Sequence, residues 1–228
     1  MSIVSLCAVP LKAQSGTIPL VDEAWRDPKL VLARHDVIMA AVRRDTAALR
    51  PLIGDRFIWS FGGGDVDDFF RHLDGAPDTW REMAEVLSLG GRLSADGNGF
   101  TAPFYWDDRS CVEPARTEGT TADTVEDVEG SHFSCDGFEV LIVLGTDVRV
   151  RQTPGGTPIE AVSLGYVSND RSRRETRAGG VDWTPVILPS DKRGWIASRL
   201  LRSPIGWRAG FTKGADGKWK LTMFVAGD

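Results

Sequence analysis

The sequence predicts an α+β protein: helices packed on an antiparallel sheet, and beside them a small β-barrel of short strands. Three observations lead there. Between Asp27 and Gly54 apolar residues recur at three- and four-residue spacing, the mark of helices with one buried face. Between Phe138 and Leu201 every hydrophobic run is short, alternating or β-branched, which marks brief strands. After Ser203, two alternating runs flank Lys213-Gly214-Ala215-Asp216-Gly217, a hairpin signal.

Composition sets the bounds. A chain of 228 residues, 42% hydrophobic and 26% charged, can bury one sizeable core or two modest ones, and two units are expected. A net charge of −5 argues against non-specific nucleic-acid binding, which needs a basic footprint on the phosphates. No apolar run approaches the roughly 18 residues of a membrane span, so no transmembrane segment is expected. The eight tryptophans suit either a core or an aromatic surface for sugar or peptide.

Residues 1–27 read as an export-like segment. The apolar stretch Ile3 to Leu11 followed by Ala13-Gln14 resembles the tail of a secretory signal, although a charged leader is missing. A start placed too far downstream would account for that, and so would a buried N-terminal strand. Cys7 follows Leu6, where a lipoprotein signal would want a small residue. Removal of this leader leaves Cys111 and Cys135, a candidate disulfide in an exported chain, or else two unpaired thiols in a polar loop.

Residues 28–106 form the first α+β part. Asp27 and Pro28 open a helix at its cap and first position, with Leu30, Val31, Val37, Ile38, Ala41 and Val42 as its apolar face. Arg44-Asp45 interrupts, a second short helix starts at Thr46 and ends by Gly54, and Pro51 kinks or ends it. Arg56 to Phe61 alternates as a strand before the turn Gly62-Gly63-Gly64. Helices follow at 66–73 and 79–89, the second capped by Asp78 and stopped by Gly90-Gly91. Residues 99–106 read as a strand with Pro103 at an edge or bulge. Residues 107–135, aperiodic and rich in Asp and Glu, are expected to be an acidic linker.

Two resemblances refine this outline. Asp147-Val148-Arg149-Val150-Arg151, Pro158 to Val162, Trp183 and Gly194-Trp195-Ile196-Ala197-Ser198-Arg199-Leu200 stand in the order of the core segments of the bacterial SH3-type domain. That resemblance implies an SH3-like barrel over 136–202 with no catalytic group of its own. VIMAAVRRDTAALRPLIGDRFIWSF is similar to the opening of nuclear-transport-factor-2-like and ketosteroid-isomerase-like cone folds, and Asp216 to Leu221 looks like their closing strand. Together they imply that the hairpin of 203–228 returns to pair with strands 56–61 and 99–106. The SH3-like β-barrel is then inserted into the helix-plus-antiparallel-sheet, cone-like domain.

Catalytic chemistry is hard to find. His35, His72 and His132 have no metal-ligand spacing to one another or to cysteine, and neither a nucleophile elbow nor a P-loop occurs, so no catalytic residue, metal or cofactor is assigned. Gly62-Gly63-Gly64-Asp65, between a strand and a helix, is an anion cradle or a plain turn. Two candidate binding surfaces remain. Arg171, Arg173, Arg174 and Arg177 could grip carboxylates or phosphates bidentately, or could only solvate a loop. Tyr166, Trp183 and Trp195 supply an aromatic surface on the same unit. The leading expectation is a non-catalytic periplasmic or secreted protein whose SH3-type module binds a peptide, peptidoglycan or an envelope protein, with a cytoplasmic location left open. The alternative is a small-molecule or isomerase-type pocket in the cone domain, lined by Trp59, Phe61, Phe104, Trp106, Trp207 and Phe224.

Overall fold

The computed structural model describes residues 18–59, 64–106, 111 and 134–227. Its helices are α1 Pro28–Arg43, α2 Thr46–Leu49, α3 Val66–Gly75 and α4 Asp78–Ser88. Asp27 opens α1 by accepting from the amide of Lys29, with Pro28 at the first turn. Arg44, in the left-handed region at φ 52°, ends it, and Asp45 caps α2 through the Ala48 amide. A 3-10 turn, Arg50–Leu52, follows at Pro51. A reciprocal capping box of Asp65 and Asp68 starts α3. Asp78 is the first residue of α4 rather than its cap, and its carboxylate pairs with Arg81 instead.

The buried stripe of α1 is Leu30, Val37, Ala40 and Ala41. Val31 and Val42 were expected in that face but are exposed, because a one-residue step turns about 100° around a helix and carries both off the stripe.

Strands β1 Ile53–Ile58, β2 Arg92–Leu93, β3 Gly99–Ala102, β12 Arg208–Lys213 and β13 Trp219–Val225 make one sheet in the order β1-β13-β12-β3-β2. The C-terminal hairpin therefore fills the middle of this sheet: β12 is antiparallel to β3, and β13 runs alongside β1. The sheet is mixed rather than antiparallel, since β1 and β13 are parallel. Such a pair needs a long crossover, which the chain between them supplies. Helices α1, α3 and α4 cover one face, burying Leu30, Phe69, Met83, Phe211, Leu221 and Phe224.

Between β3 and β12 in sequence lies a second sheet, built from β4 Val140–Val143, β5 Val148–Arg151, β6 Pro158–Val162, β7 Tyr166–Asn169, β8 Thr176–Ala178, β9 Val181–Ile187, β10 Arg193–Ala197 and β11 Leu201–Arg202. Its order is β11-β4-β7-β9-β10-β5-β6, with β8 also on β9. Its core is largely valine, among them Val148, Val150, Val162 and Val186. The expected barrel does not close among the described residues. Closure would need β6 to pair with β11, but these two strands are the unpaired ends of the order, and β11 is only two residues long. A third cluster joins the units, packing Phe104 and Tyr105 from beyond β3 against Val140, Ile142 and Tyr166.

Candidate functional site

The arginine segment is largely occupied by its own fold. Asp170, 1% exposed, receives Arg173 Nε at 2.6 Å and Arg193 Nη1 at 3.3 Å. Burial pushes its carboxyl up, but Ser172, Arg173 and Arg193 outweigh that and hold it below the ordinary value. Arg173 also donates to the carbonyl of Gly194 and lies 5.1 Å from the Trp195 ring. Arg171 donates to the Phe138 carbonyl and sits 3.5 Å from Glu139, while Arg177 is 3.6 Å from Asp182. Among the described residues, Arg174 alone of the four has no ion pair or hydrogen bond.

The aromatic candidates are mostly interior. Tyr166 and Trp183 are buried, and Trp195 is half-buried under Arg173. In the first unit Phe104 and Phe224 are enclosed, Trp207 stacks on Phe224 at 4.5 Å, and Trp59 packs on Phe69. Phe224, Trp207 and Trp59 pack in the core beneath the helices and Phe104 between the two units; Phe61 lies outside the described residues, as do His132, most of the Gly62-Gly63-Gly64 turn and nearly all of the acidic linker. Cys111 and Cys135 are joined as a disulfide, with Cα atoms 5.7 Å apart.

The other face of the first sheet is left open among the described residues, and there a groove of about 700 Å³ runs across β1, β13, β12 and β3. Alternation decides its lining. On β13, Trp219 and Leu221 turn toward the helices and Lys220 and Thr222 face the groove, and the period slips after Thr222 so that Met223 also faces the groove and Phe224 turns inward. A bulge between Gly210 and Phe211 places Met223 opposite Gly210. Three glycines make the floor low: Gly54, Gly99 and Gly210. A Cβ at Gly54 would come within 2.9 Å of Thr222 Cγ2, and one at Gly210 within 3.0 Å of Met223 Cε, so these two side chains lie flat across neighbouring strands. Thr212 and Thr222 share a hydroxyl hydrogen bond of 2.9 Å. Ile58, 56% exposed, and Arg56 stand at the β1 edge, and Lys220 donates to the Pro51 carbonyl. Arg56 has no ion pair among the described residues. Among the described residues the lining contains no His, Cys or Ser.

Sequence reading missed this groove because its walls come from three separate parts of the chain: β1, β3 and the β12–β13 hairpin. One signal was available: on the hairpin, Gly210, Thr212, Lys220 and Thr222 share the face opposite Phe211, Trp219 and Leu221. Compared with known proteins, the chain matches no family model, no curated protein and no solved structure.

Proposed function

We propose that this chain is a non-catalytic binding protein of an oxidising, extracytoplasmic compartment, holding a stretch of peptide or peptidoglycan in the groove across β1, β13, β12 and β3. The observation that carries this reading is the sheet face left open among the described residues: a long apolar floor with Thr222 and Thr212 hydroxyls on it and Arg56 at its edge. An open sheet surface suits an extended ligand, whose backbone and side chains can lie along the strands. The Cys111–Cys135 disulfide supports the compartment, since such bonds persist where the surroundings are oxidising. On this reading the β4–β11 sheet, whose segments resemble the bacterial SH3-type domain, steadies the first sheet through the Phe104 and Tyr105 cluster.

Co-sedimentation with purified peptidoglycan sacculi tests the proposal. The parent should pellet with sacculi, while Met223→Glu, which puts a charge on the apolar floor, should pellet several-fold less and Arg56→Glu should lose salt-sensitive binding. Parent protein that stays in the supernatant at all salt concentrations would sink it. A second reading, a small apolar ligand in the same groove, is favoured by the volume, which lies within the usual range for ligand sites. Thermal-shift screening of hydrophobic metabolites would reveal that case as a raised melting temperature.

A further inference from the structure

A second site lies where the two sheets meet. Helix α4, the β8–β9 turn and the chain around β11 enclose a cleft of about 460 Å³ lined by Arg81, Arg199, Arg202, Glu82, Glu85 and Asp182. Next to it, an apolar groove of about 310 Å³ runs between α1 and α4, lined by Ile38, Val42, Ala84 and Leu89. Glu85 and Arg202 belong to both, so their ion pair is the shared wall.

The two compartments have different chemistry. The cleft carries cations and anions in equal number, three of each among the residues named, which suits a ligand bearing both signs better than a simple anion. Its donors are not all used. Arg202 spends Nη1 on the Leu201 carbonyl and Nη2 on Glu85, yet its Nε is buried with no hydrogen-bond partner among the described residues. Arg199, exposed, has no ion pair among the described residues, while Asp182 is 3.6 Å from Arg177 and Glu82 is 3.8 Å from Arg81. The groove explains a feature the core does not use: Val42 is 63% exposed on α1, turned away from the buried stripe and toward this groove.

We infer that this cleft and groove together bind a short zwitterionic peptide with an apolar side chain. Its carboxylate meets Arg199, its ammonium meets Glu82 and Asp182, and its side chain enters the groove between Ile38 and Val42. The site is separate from the open sheet face and does not depend on what binds there.

The test is calorimetric titration of the whole protein with leucyl-leucine, with N-acetyl-leucyl-leucine amide and decanoate as controls. The dipeptide should bind, the neutral blocked peptide at least about tenfold more weakly, and decanoate more weakly than the dipeptide, since the blocked peptide removes both charged contacts and decanoate removes the ammonium. Arg199→Ala and Val42→Asp should each weaken the dipeptide by about tenfold, and both positions are exposed enough to leave the melting temperature unchanged. No heat of binding at millimolar leucyl-leucine would overturn the inference. So would equal affinity for the blocked peptide, which needs no charged cleft, tighter binding of decanoate, or variants that bind as the parent does.

Discussion

Asp27 ties the first helix to the last hairpin, and its removal gives the sharpest test of how this fold is held. Its carboxylate caps α1 through the Lys29 amide, accepts from Trp219 Nε1 at 3.0 Å, and sits 2.8 Å from Lys213 Nζ. An N-cap is worth about 1 kcal/mol and a part-buried hydrogen bond about as much, with a smaller share for a partly exposed ion pair, so Asp27→Ala should cost about 2 kcal/mol. For a chain of this length that lowers the melting temperature by about 4–8 °C. Asp27→Asn keeps the cap and the acceptor and should cost about 0.5 kcal/mol. The pH dependence carries its own sign. The hydrogen bond from Lys213, then that from Trp219, pulls the carboxyl from its ordinary 3.8 to about 2. A depressed carboxyl stabilises the fold above its unfolded value, and that stabilisation is lost as pH falls from about 4 to about 2. Thermal melts at pH 7 and across this acid window check both points, and Asp27→Asn should flatten the loss. An Asp27→Ala protein melting within about 1 °C of the parent would refute the reasoning.

Other perturbations separate structural from binding roles. Replacing Cys111 and Cys135 together with Ser opens a loop of sequence separation 24 and should cost about 3 kcal/mol by chain entropy, read as a lower denaturant midpoint. Arg173→Ser unpairs the buried Asp170 on one side and should lower stability by about 2 kcal/mol, whereas Arg174→Ser should stay within about 0.5 kcal/mol of the parent in the same denaturant titration. Truncation after Leu201 removes β12 and β13, the strands that join β1 to β3, so residues 18–201 should show no cooperative melt of the first sheet by circular dichroism.

How much was legible depended on whether a signal was local. The Asp27-Pro28 cap, the α1 period and the turn at Lys213 to Gly217 are short-range, and the structure has the helix and hairpin there. The return of that hairpin to β1 and β3 could be argued only from a resemblance, yet the ladders show it. Closure of the second sheet is not a property of any strand's alternation, and the order ends at β11 and β6 without joining them. The arginines between Arg171 and Arg177 looked free because their partners are not a local pattern: Arg173 is held by the buried Asp170, Arg171 lies beside Glu139 and Arg177 beside Asp182. Gly54 was read as a helix end, whereas its lack of a Cβ leaves room for Thr222 on the groove floor. Aromatic residues gave the weakest guidance, since a ring counted in the sequence serves core and surface alike.

Hydrogen exchange measured with and without soluble disaccharide-peptide fragments of peptidoglycan tests the central claim most directly. With ligand bound in the groove, slowed exchange should fall on residues 54–58, 99–101, 210–212 and 220–223, the four strands that line it. Protection confined to residues 171–177, or no protection at saturating fragment, would contradict the account.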